Sequence, residues 1–157
     1  MQYALSISAS MSFEDAITRV TEELQREGFG VLTSIDVKET MKKKLGLDFP
    51  NYIILGACNP TLAHQALLAE EQIGLLLPCN VIVYEREGET IVAAFDPQVM
   101  VSVLGHEGIE PIAEEVRQKL ERVLRRIAPL QVQPGNAAPG INKTDTGKNP
   151  ERPGHEN

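Results

Sequence analysis

Cys58 and Cys79 carry the broadest chemical repertoire in this sequence, because a thiolate can act as a nucleophile, a redox centre or a soft metal ligand. An asparagine follows each of them, Asn59 and Asn80. Cys58 also stands directly before Asn59-Pro60, a pair suited to the N-cap and first position of a helix. Unpaired amides and the helix dipole at such an end favour an anion and can lower a thiol's pKa. The plainer alternative is that both cysteines pack as small hydrophobes, the common behaviour of free cysteine.

His64 falls one turn into the helix that Asn59-Pro60 would start. Cys58, His64 and Cys79 would together offer three metal ligands, although C-x5-H and C-x20-C match no compact zinc motif. A solvated histidine on the helix flank is the simpler account. Asp96 enters through strand pairing. If Glu87-Gly88 is a two-residue hairpin turn, Tyr84 faces Ile91, Val83 faces Val92, and the same register carried to the strand ends sets Cys79 opposite Asp96. The candidate binding set is therefore Cys58, Asn59, His64, Cys79, Asn80 and Asp96, with Cys58, His64 and Cys79 as the candidate metal ligands. Cys58 ends one strand and Cys79 begins the next, so the thiols meet only if those strands run antiparallel. A parallel crossover would hold them about 20 Å apart.

Other reaction classes lack local support. The chain has no G-x-G-x-x-G, Walker loop, H-E-x-x-H or G-x-S-x-G. The adjacent acids Glu14-Asp15, Glu22-Glu23, Glu70-Glu71 and Glu114-Glu115 read as solvated helix faces. Lys42-Lys43-Lys44 reads as a helix end complementing the macrodipole, and His106, between glycines, as part of a connector. No cofactor is indicated.

These residues need elements to position them. Tyr3, Leu5, Ile7 and Ala9 alternate with polar neighbours as a half-buried strand does. Ser12 and Asp15 form a capping signal before Phe13, Ile17, Val20 and Leu24 recur at helical spacing, and Gly28 offers a left-handed stop. A second strand over Phe29–Ile35 leads to a short helix capped by Asp36 and ended by Gly46. Residues 52–58 read as a central strand covered on both faces or as a buried helical segment, and Asn59-Pro60 favours the strand. A hairpin follows over Val81–Phe95. Asp96-Pro97 then starts a short helix and Glu110-Pro111 a long one, with Ile112, Val116, Leu120, Val123, Leu124 and Ile127 on one stripe. The layout is α+β: a mixed or antiparallel sheet with helices on one face.

The 157 residues suffice for one domain. Residues 129–157 hold five of the ten prolines and balanced charges, and read as a disordered polar tail. The whole net charge of −7 thus belongs to a folded domain over residues 1–128. That charge, with 4% aromatics and no Trp, argues against nucleic acid and anionic membranes as partners. The sequence shows no secretory leader and no apolar run near the roughly 20 residues that a membrane span needs. A cytoplasmic location with reduced thiols is expected.

The segments Gly56-Ala57-Cys58-Asn59-Pro60, Ala63-His64 and Ile73-Gly74-Leu75-Leu76-Leu77-Pro78-Cys79-Asn80-Val81, together with Phe13-Glu14-Asp15-Ala16 and Gly28-Phe29-Gly30-Val31-Leu32, carry a resemblance. From about Tyr3 to Ile127 the chain resembles the bacterial and archaeal family called "domain of unknown function 302". The resemblance implies a fold of the TATA-binding-protein-like type, a homodimer and no established reaction. Two functions follow as expectations: a domain that binds a small molecule or metal ion, or performs thiol redox chemistry, in a Cys58/Cys79 pocket, or a non-catalytic homodimeric module in which the cysteines simply pack.

Overall fold

In the computed structural model, which describes residues 2–131, the chain alternates strands and helices around one five-stranded sheet. β1 (Ala4–Ala9) leads to α1 (Phe13–Arg26), where the Ser12 hydroxyl accepts the Asp15 amide at 3.0 Å. β2 (Gly30–Asp36) runs into α2 (Val37–Leu45), capped by Asp36 and closed by left-handed Gly46. β3 (Tyr52–Cys58) precedes α3 (Pro60–Ala69) and a 3₁₀ helix, Glu71–Leu76. β4 (Cys79–Arg86) and β5 (Glu89–Phe95) form the hairpin, followed by α4 (Gln98–Leu104) and α5 (Glu110–Arg125).

The strand order is β1-β5-β4-β3-β2, and every neighbouring pair is antiparallel. The expected α+β class therefore holds, with the sheet resolved as antiparallel. Tyr84 faces Ile91 and Val83 faces Val92, as the Glu87-Gly88 turn implies. Both turn residues have positive φ, 51° at Glu87 and 80° at Gly88, which matches the right-handed twist of the flanking strands. β3 is less enclosed than a central strand covered on both faces: Leu55, Gly56 and Ala57 are buried, and the rest is half-buried. Of the expected polar tail, residues 132–157 lie outside the described residues. Gln131 donates its amide to the Ser6 carbonyl at 2.8 Å, so the chain still meets the edge of β1 three residues past the expected boundary.

Strand alternation sorts the side chains into two faces. Leu5, Ile7, Val81, Val83, Val92 and Ala94 share one face and form the main core with Val20 and Leu24 of α1 and Leu120 and Leu124 of α5. A second cluster gathers Ala66, Ile73, Met100, Ile109 and Ala113 from α3, the 3₁₀ helix, α4 and the start of α5. The two clusters meet at Ile112.

One expectation fails outright. Glu23 is not a solvated acid: it is 1% exposed on the buried stripe of α1. Arg19 and Arg26 each donate to its Oε1 at 3.1 Å, and Arg126 lies 3.5 Å from Oε2. One turn on, buried Glu27 accepts two hydrogen bonds from Arg122 at 3.0 Å and one from Arg126 at 2.7 Å. Buried carboxylates persist only when paired and hydrogen-bonded, so the guanidinium groups are the condition for this packing.

The Arg122 hydrogen bonds hold the Glu27 carboxyl below its ordinary pKa against the opposing effect of burial, with Arg126 adding to the lowering. Glu27→Gln is expected to lose about 1–3 kcal/mol of stability at neutral pH. A depressed folded-state pKa stabilises above the unfolded value, about 4.3 for Glu, and that contribution disappears as pH falls through the lower folded value. Urea unfolding at pH 7 and pH 3 checks this: the gap between wild type and variant should be large at the first pH and much smaller at the second. An equal gap at both would show that the charge is not what matters.

Candidate functional site

β3 and β4 run antiparallel with Ala57 opposite Cys79, so the condition for bringing the cysteines to one end of the sheet is met. Alternation then separates them. Cys79 shares the core face with Ala57, and Cys58, the next residue along β3, falls on the alternate register position while still bordering the same cavity. Both are free, Cys79 buried and Cys58 half-buried.

A cavity of about 40 Å³ lies at this end of the sheet. Ala57, Cys58 and Cys79 close it from the strand ends, Asn59, Leu62, Ala63 and Ala66 from the start of α3, and Ile73, Leu77 and Pro78 from the 3₁₀ helix and its exit. Met100 of α4 and Ile112, Ala113 and Val116 of α5 complete the walls with Phe29, Pro97 and Ile109. None of these side chains is charged. A volume of this size can hold water or a small apolar group.

Asn59 organises the wall. Its Oδ1 accepts the Leu62 amide at 3.2 Å and so caps α3, while its Nδ2 donates to the Glu27 carbonyl at 3.3 Å. Gly28 makes room for it: its φ is 82°, and a Cβ there would lie 3.1 Å from the Asn59 amide nitrogen. Asn59 is thus at the cavity, but both ends of its amide already serve the backbone.

Three other candidates lie elsewhere. His64 is exposed and does not line the cavity, because Leu62, Ala63 and Ala66 form the inward side of α3. Among the described residues no group of three or more His, Cys, Asp or Glu side chains is placed to hold a metal ion, so Cys58, His64 and Cys79 do not form the expected ligand set. Asn80 pairs with Gly56 and is exposed, one residue out of phase with Cys79. Asp96 is buried but engaged elsewhere: it accepts the Gln98 amide at 3.0 Å, at the start of α4, and Arg117 at 3.3 Å. The extended hairpin register fails here because the β4–β5 ladder ends at Val81 and Ala94. Beyond it β4 follows β3, whereas the Asp96 amide donates to the Tyr3 carbonyl beside β1.

Burial, reinforced by the neighbouring Cys58, pushes the Cys79 thiol up to about 11. It is protonated at neutral pH, the opposite of an activated nucleophile. The cavity walls that the candidate set omitted were partly legible. Leu62, Ala66, Ile112 and Val116 fall on apolar helical stripes, but nothing in the short α4 marks Met100.

The fold and site define a class: an antiparallel α+β domain with a small uncharged cavity, bearing a buried thiol, at one end of its sheet. The chain belongs to the family described as "Domain of unknown function DUF302", whose model matches residues 5–127. It is similar to an uncharacterized conserved DUF302 protein of known crystal structure from Bacillus stearothermophilus. The two are 31% identical with a TM-score of 0.77, over 81% of this chain and 99% of that one. No protein with a curated description matches the sequence.

The two thiols should behave independently. Under native conditions near pH 8, Ellman's reagent is expected to modify Cys58 first, and Cys79 to react at least about tenfold more slowly until the protein is unfolded. Cys79→Ser should leave the fast phase intact, and mild oxidation should produce no intramolecular disulfide. Two equal fast phases, or a Cys58–Cys79 bridge, would contradict this independence.

Proposed function

We propose that this domain binds a small, neutral, predominantly apolar molecule in the cavity at the β3–β4 end of the sheet. The uncharged lining carries this reading, since a buried charged ligand group would find no countercharge on the walls. Cys79 is a wall residue in it, and Cys58 stands at the rim. Ligand binding is favoured over thiol redox chemistry because burial holds the Cys79 thiol protonated. Two unbridged cysteines suit a reducing compartment, so the reading includes a cytoplasmic setting.

A second reading, a homodimeric interaction module, draws on β2. This edge strand is uncharged from Gly30 to Ile35, with Leu32 67% and Ile35 49% exposed. Edge strands usually carry charge, proline or a bulge to prevent pairing with another chain, and the ladder of β2 to β3 is interrupted at Leu32. Packing of the exposed Leu32 and Ile35 side chains against a second copy would cover both.

Each reading has a direct test. Xenon, a probe small enough for the cavity, should raise the thermal midpoint of the wild type and leave that of Ala66→Leu, whose added methyl groups occupy the cavity, unchanged. Ala63→Leu serves if the first variant does not fold, and an absent or identical shift in wild type and a folded variant would remove the cavity reading. For the second reading, light scattering should show a dimer that Leu32→Lys converts to a monomer. A wild-type monomer at about 100 μM would remove it.

A further inference from the structure

We propose that the seam between α1 and α5 is a second binding site, which takes the phosphoryl group of a small soluble molecule through Arg19, Arg26, Arg122 and Arg126. It is independent of the cavity reading above. Two buried carboxylates hold the four guanidinium groups together. Arg19 and Arg26 both donate to Glu23 Oε1 at 3.1 Å, and Arg122 donates to both oxygens of Glu27 at 3.0 Å. Arg126 joins the two pairs, reaching Glu27 at 2.7 Å and Glu23 at 3.5 Å. Glu23 and Glu27 lie inside the fold, whereas the four arginine side chains are between 38% and 66% exposed. The acids therefore back a layer of arginines that solvent reaches, and they fix the direction of each head before a ligand arrives.

The seam holds more positive charge than its own pairing requires. Lys119 also lies 4.0 Å from Glu27, so five cations surround two carboxylates and three positive charges are left unanswered by contact. The flanking acids Glu22 and Glu115 are exposed and, among the described residues, form no ion pair with these arginines; Glu115 acts on Arg122 only from a distance. Arg122 and Arg126 stand one turn apart on α5, a like-charge spacing that is itself unfavourable. Donors are spare as well: Nη1 of Arg19, Nε of Arg26, Nη1 of Arg122 and Nε of Arg126 have no hydrogen-bond partner among the described residues. A phosphoryl dianion accepts several such donors and supplies the charge that the seam lacks. The rest of the molecule selects a small bearer. Because the whole chain is −7 despite a surplus of three here, its remaining residues carry −10 and repel an extended polyanion such as duplex DNA or an anionic membrane.

Calorimetric titration of the full chain at about pH 7.5 and constant ionic strength, with inorganic phosphate, pyrophosphate and acetate as probes, tests the site. Pyrophosphate should bind with a Kd below about 1 mM, phosphate several-fold more weakly, and acetate at least about tenfold more weakly than pyrophosphate. Arg26→Gln, at an exposed side chain whose partner Glu23 keeps Arg19, should weaken pyrophosphate about tenfold. Arg86→Gln, which removes the same charge at the β4–β5 turn, should change it by less than about twofold. If Arg26→Gln does not fold, Arg122→Lys, which keeps a positive charge beside Glu27 and loses the planar fork, should give the same weakening. Pyrophosphate that binds no better than acetate, or equal losses in a folded seam variant and in Arg86→Gln, would overturn the site. Co-sedimentation of the protein with phosphatidylglycerol vesicles at the same ionic strength would overturn the assignment to a small soluble molecule.

Discussion

The carboxylates of Glu23 and Glu27, buried between α1 and α5, set the terms for the rest of the molecule. Two acids on the core side of a helix would be prohibitively costly alone, and their pairing with Arg19, Arg26, Arg122 and Arg126 converts that cost into a requirement for one packing of α5 against α1. Arg19 also donates to the Arg126 carbonyl at 2.9 Å, satisfying the backbone at the C-terminal end of α5. From this clamp the constraint passes along the chain. The carbonyl of Glu27 receives the Asn59 amide, Asn59 caps α3, and α3 supplies one wall of the cavity. A surface of charge pairs and an uncharged hole are thereby joined through a single asparagine.

Much of the architecture was legible in the residues because it depends on short-range rules. Ser12, Asp36 and Asn59 cap their helices, Gly28, Gly46 and Gly88 take the left-handed conformations expected of them, and the Glu87-Gly88 turn fixed the hairpin register. The errors arose where long-range geometry took over. Cys79 and Asp96 part because β4 and β5 diverge toward different neighbours, a feature of sheet curvature that hairpin arithmetic does not contain. Glu23 passed for a solvated acid, although Glu23 and Glu27 continue the stripe of Ala16 and Val20, and Arg122 and Arg126 stand one turn apart on α5. A charged residue on an apolar stripe, matched by opposite charges on another helix, was the available signal.

The candidate site was legible in part for a related reason. Cys58, Asn59 and Cys79 do meet at one cavity, because strand ends and helix starts are marked locally. Their chemical roles were less legible, because roles depend on what surrounds a group. The N-terminus of α3 suggested an activated thiol at Cys58. Burial raises the pKa of the other thiol, Cys79, and the Asn59 amide is engaged by one backbone partner at each end. His64 shows the same limit: one residue along a helix turns a side chain by about 100°, enough to leave Ala63 at the cavity and His64 in solvent.

The dependence on Asn59 bears on chemical ageing. Asparagine side chains deamidate when the nitrogen of the following peptide attacks the side-chain carbonyl and closes a succinimide ring. Here the following residue is Pro60, whose nitrogen has no proton to lose. Conversion of Asn59 to aspartate by this route would replace the donor to Glu27 with a carboxylate, and the Asn-Pro sequence closes the route. The residue that joins the ion-pair clamp to the cavity is therefore shielded from the commonest spontaneous damage to its kind by the same proline that begins α3.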